Sequence, residues 1–93
     1  MALDATYARA AYGAGMYYCE APIGADETKG LALIEKAHRL DPDDYGIAVD
    51  LIDQLSRSGH KAQARRELAR FDQDFSALPA ARHDIAPIAA KLR

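Results

Sequence analysis

The chain has no tryptophan, two phenylalanines, one cysteine and four prolines in 93 residues. A single cysteine excludes an internal disulfide, so stability must come from packing. With few large aromatic side chains and many alanines, that packing has to be built by close approach of helices. No apolar run nears the ~20 residues that a membrane helix needs, so membrane insertion is not expected. Residues 1–4 offer neither the basic start nor the apolar core of a signal peptide. That leaves the compartment open, with the cytoplasm favoured. Surplus charge is missing too. The formal net charge is −2, too small for bulk attraction to nucleic acid or lipid.

What is present fits an ordinary globular domain, 49% hydrophobic and 28% charged. Residues 1–93 form one small domain, able to bury roughly 60–65% of its unfolded surface. The chain starts and stops close to the edges of its expected helices, which suggests a module cut from a larger protein. Its charge is unevenly placed. Through Gln54 there are ten acidic side chains against four basic ones, and beyond it eight basic against four acidic. Such a dipole can steer a partner or favour head-to-tail contact between copies.

Five helices are predicted. The first covers 3–20, with Asp4 as N-cap. Gly13 and Gly15 each cost about 1 kcal/mol against alanine there, a cost offset where another helix must come close. Ala21-Pro22-Ile23-Gly24 breaks it. Asp26 caps a second helix over 27–40, with Leu31, Ile34, Ala37 and His38 on one stripe. Asp41-Pro42-Asp43-Asp44 ends that helix and starts the next, Pro42 fitting a first turn. The third, 44–58, turns Ile47, Ala48, Leu51, Ile52 and Leu55 inward and Asp50, Asp53, Gln54 and Arg57 outward. Gly59 suits the position just past its end. The fourth, 61–75, buries Ala64, Leu68, Phe71 and Phe75 and leaves Arg65, Arg66 and Arg70 solvated. A shorter last helix falls within 80–92. With Asp84 as its N-cap, Pro87 lies in its first turn. No segment alternates as a strand does, so the fold class is all-α.

Small residues recur at matched places, and they carry a resemblance. Gly15, Tyr18, Gly30, Ile34, Ala37 and Pro42, then Ala48, Leu51, Ile52, Leu55, Gly59, Ala64, Leu68 and Phe71, resemble two tetratricopeptide repeats. About three extra residues fall in the first turn, and Gly15-Met16-Tyr17-Tyr18 before a long loop is also similar to Sel1-like repeats. Ala11, Phe71 and Ser76 depart from the family, which usually has Trp, Ala and Pro there. The resemblance implies repeat one over about 8–44, repeat two over about 45–78 and a capping helix over about 79–93. These would wind as a right-handed superhelix of antiparallel helix pairs.

That family binds proteins, and the resemblance implies a concave groove lined by the leading helix of each unit. Arg9, Tyr12, Met16 and Cys19 share one side of the first helix, and the resemblance sets Val49, Asp53 and Ser56 beside them. An arginine, an aromatic and a methionine among apolar neighbours suit a peptide or helix from a partner protein. The alternative for these residues is packing against sequence outside the chain. The lysine and asparagine clamp by which some members hold an acidic C-terminal peptide is absent, since those places carry Tyr12, Met16, Val49, Asp50 and Asp53.

Other functions are weaker readings. The basic stripe Arg57, Lys61, Arg65, Arg66 and Arg70 lacks interleaved aromatics, so a solvated helix face is expected rather than nucleic-acid binding. His38, His60 and His83 share no metal-ligand spacing with Cys19. Gly13-Ala14-Gly15 lies inside a helix and follows no strand, so it is not a phosphate loop, and no cofactor is expected. A nucleophilic Cys19–His38 pair has neither an oxyanion hole nor an orienting third group. The expectation is a binding module and not an enzyme, with self-association through the acidic front and basic back as the alternative.

Overall fold

The computed structural model describes residues 5–21 and 24–93. They form five α-helices: α1 (Ala5–Glu20), α2 (Glu27–Leu40), α3 (Tyr45–Arg57), α4 (Lys61–Asp74) and α5 (Pro79–Leu92). No strand occurs among the described residues. Asp4, the expected cap of α1, and Pro22 and Ile23 of the expected break lie outside them.

The N-cap of α2 is chemical, as expected, and α3 has one too, in Asp44. Asp26 accepts a hydrogen bond from the backbone N–H of Lys29 at 3.0 Å, and Asp44 accepts one from Ile47 at 3.2 Å. Each satisfies one of the four free N–H groups that open a helix. Pro42 stands in the turn before Asp44, so it is not in a helical first turn. Gly59 follows α3 at φ +84°, the left-handed geometry that lets a helix stop there.

The last helix occupies the expected range, but Asp84 is not its cap. It starts at Pro79, where the missing N–H costs nothing, and not at Asp84. Pro87 is therefore interior. Its side is exposed, so water can satisfy the His83 carbonyl that would otherwise accept the lost bond.

α1 and α2 are antiparallel. Asp26 N–H donates to the Tyr18 carbonyl at 2.9 Å, Lys29 lies over the Tyr18 ring, and Lys36 lies over Tyr7 at the other end. Glycines set their spacing. A Cβ on Gly15 would stand 2.8 Å from the Gly30 carbonyl oxygen and 2.6 Å from Ile34 Cγ1. The two backbones touch there, which only glycine permits.

α3 is the central helix, touching α2, α4 and α5. Its Ile47, Ala48, Leu51, Ile52 and Leu55 are buried with Ala37 of α2, Ala64 and Leu68 of α4, and Ile85 of α5. Phe71 packs on Phe75 with ring centroids 4.8 Å apart, and Tyr45 meets Phe75 edge-on. The molecule measures 36 × 34 × 19 Å, and its thin dimension corresponds to two layers of helices about 10 Å across. Gln54, expected in solvent, is buried at 6% exposure. Arg65 stays exposed as expected, and its Nε donates to the Leu92 carbonyl at 2.9 Å, which ties α4 to the end of α5.

Candidate functional site

Between α1, the α2–α3 turn and α3 lies a cleft of about 190 Å³. α1 supplies Arg9 and Tyr12, the turn supplies Asp41 and Asp44, and α3 supplies Gly46, Ile47 and Asp50. Asp44 is fixed by its capping bond, and Gly46, with no side chain, keeps the cleft open. One turn further on, the Asp50 carboxylate accepts a short hydrogen bond from the Tyr12 hydroxyl. That bond links α1 directly to α3.

The electrostatics of the cleft follow from its carboxylates. Tyr12 is pushed up to about 12, first by burial and then by its bond to Asp50 and the negative charges of Asp50, Asp44 and Glu20. It therefore stays a protonated donor at neutral pH. Asp41, Asp44 and Asp50 face one guanidinium, that of exposed Arg9, and the cleft is net negative.

A second hollow of about 360 Å³ adjoins the first through Gly46 and Asp50. Val49 of α3 and His83, Asp84 and Pro87 of α5 form the rest of its wall. Together the two make one groove whose walls come from α1, α3 and α5. The exposed Pro87 side of α5 thus faces open space beside Val49.

Arg9, Tyr12 and Val49 are brought into this groove. Met16 packs against the core and borders a separate shallow hollow with Gly13, Tyr17 and Glu20. Cys19 is drawn out of the set, because its Sγ lies against Gly30 of α2, where an added Cβ would come within 2.5 Å of it. Asp53 is engaged by Arg57 at 3.1 Å, one turn along α3. Ser56 is half-buried six residues beyond Asp50, about 9 Å of helical rise from the cleft. Asp41 and Asp44 were legible only as helix punctuation, Gly46 was not singled out, and Asp50 was read as a solvated residue and as one place of the absent clamp. The α5 wall was hidden by the misplaced start of that helix.

The Cys19–His38 pair is not assembled. Cys19 contacts Gly30, eight residues from His38 on the same helix, about 12 Å of rise away. Burial, with Glu27 and Glu20 nearby, pushes the Cys19 thiol up, away from the thiolate a nucleophile needs. Among the described residues, no three His, Cys, Asp or Glu side chains are grouped to hold a metal ion. None of the described helices is long and apolar enough to cross a membrane. No family model matches the chain, and no curated protein or solved structure matches it at a significant level.

Proposed function

We propose that the chain is a tetratricopeptide-like module that binds a segment of a partner protein in the groove lined by α1, α3 and α5. In this reading residues 8–44 and 45–78 are the two units, 79–93 the cap, and the pairs wind as a right-handed superhelix. The buried small residues support it: Gly15, Gly30, Ala37, Ala48 and Ala64 all sit at helix contacts. The observation that carries the function is the continuity of the groove across alternate helices. Apolar contact comes from Tyr12, Val49 and Pro87, and orientation from the carboxylates around them. Asp41, Asp44 and Asp50 favour a segment carrying lysine or arginine. Binding, without catalysis, is the whole of the proposed activity.

Selection of binders from a displayed random-peptide library tests this reading. A selected peptide is then titrated while the backbone amide resonances of the protein are followed. Shifts are expected at Tyr12, Gly46, Val49 and Asp50. Tyr12→Ala combined with Val49→Ala should weaken binding at least about tenfold, as truncation of central apolar anchors does, with helicity retained. Shifts confined to other helices, or unchanged affinity in the double variant, would overturn the groove.

A further inference from the structure

At the far end of the fold, α4 and α5 leave an open groove of about 450 Å³ that the proposed binding function does not use. Buried Phe71, Phe75 and Ile85 underlie it, Ala86 and Ala89 keep one wall low, and Asp72, Ser76, Arg82 and Arg93 stand among its borders. Low walls of alanine admit another helix closely. Arg93 is held by Asp72 at 3.1 Å, while Arg82 is exposed.

A helix of matching character lies on the opposite end of the same chain. The outward side of α1 presents Ala10, Gly13, Ala14 and Tyr17, all exposed, with no charged residue between Arg9 and Glu20. Tyr17 is 66% exposed. Among the described residues, nothing lies within 4 Å of where a Cβ on Gly13 would be, so this glycine serves no contact with them, in contrast to Gly15. Among the described residues the uncovered side of α1 is apolar from Ala10 to Tyr17, whereas that of α5 mixes Ala86 and Pro87 with Arg82, His83 and Asp84.

The charges of the two ends are complementary. Glu20 follows Tyr17 by one turn on the outward side of α1, while Arg82, Arg93 and Asp72 border the α4–α5 groove; with Arg93 paired to Asp72, Arg82 is the charge that meets Glu20. The same asymmetry runs along the sequence, acidic through Gln54 and basic beyond it. Surfaces that differ from each other yet complement each other, one of each per copy, make a heterologous contact. We propose that the outward face of α1 in one copy docks in the α4–α5 groove of the next, so that copies stack head to tail. Both faces lie outside the α1–α3–α5 groove, so this contact stands or falls independently of that reading.

Sedimentation of the full chain over a range of concentration and salt tests the stacking. The average mass should rise past the dimer with concentration and fall as salt screens the contact. Gly13→Arg and Ala86→Arg each fill one face at an exposed position, and circular dichroism should show both folded. Each variant alone should be monomeric. Mixed in equal amounts they should form dimers and nothing larger, because the mixture keeps one intact α1 face and one intact groove per pair. Tyr12→Ala should assemble as the unaltered chain does. A chain that is monomeric at every concentration overturns the proposal and leaves both faces to a different protein. A wild-type chain that stops at a dimer, a variant that assembles alone, or a mixture that stays monomeric overturns it equally.

Discussion

Gly15 of α1 and Gly30 of α2 stand back to back, each so near the other's carbonyl oxygen that an added Cβ would lie 2.8 Å from it. Backbone cannot step aside as a flexible side chain can. Gly15→Ala and Gly30→Ala should therefore each destabilise the chain by roughly 1–2 kcal/mol, the overpacking cost exceeding the ~1 kcal/mol that alanine gains in a helix. Urea unfolding followed by circular dichroism measures this. Stabilisation by either substitution would mean that α1 and α2 are not in backbone contact.

Gly13, two residues away, predicts the opposite sign. It is exposed, with open space where its Cβ would be. Gly13→Ala should stabilise the monomer by up to about 1 kcal/mol, through helix propensity and a less disordered unfolded chain. The measurement belongs at high salt and low concentration, where copies are apart. A loss of stability there would place an unseen neighbour against this face.

This contrast shows what the sequence made legible. Both glycines carried the same expectation, that another helix approaches, and only tertiary structure separates them. Helix positions were readable because their ends are chemical: Asp26 and Asp44 cap, and Gly59 takes a left-handed φ. The core stripes of α2, α3 and α4 were readable because their period is helical. Gln54 was misjudged because its polarity predicts solvent, whereas α4 and α5 crowd α3 from more than one side. Of the candidate site, Arg9 and Tyr12 were found by helical spacing and Val49 through the family resemblance. The Tyr12–Asp50 bond was not, since it joins residues 38 apart and no local pattern encodes it.

Pro87 misled for a reason that can be measured. Proline inside a helix removes a hydrogen bond and costs up to about 3 kcal/mol, which argued for a later helix start. α5 nevertheless runs unbroken from Pro79, held by buried Ala81, Ile85, Ala89 and Leu92. Pro87→Ala should return a partner to the His83 carbonyl and raise stability by roughly 1–3 kcal/mol, seen as a higher Tm with slightly greater helicity. An unchanged or lower Tm would show that the ring's packing beside Val49 outweighs the lost bond.

Tyr12 makes the link between α1 and α3 visible in a pH titration. Its folded pKa is pushed up to about 12, by burial first and then by Asp50, above the usual tyrosine value near 10. A raised folded pKa contributes stability that is fully present below pH 10, where both states hold the proton. Above that, the unfolded chain releases it first, so this stability is lost progressively as pH rises toward 12. Absorbance titration of the folded protein should show a tyrosine step near pH 12 that belongs to Tyr12. Tyr12→Phe should remove that step and flatten the alkaline loss of stability. Asp50→Asn should bring the step to lower pH, because it removes the neighbouring negative charge while leaving an acceptor for the hydroxyl. The absence of any step near pH 12 that Tyr12→Phe removes would show that Tyr12 is free in water and that α1 is not fastened to α3 through Asp50.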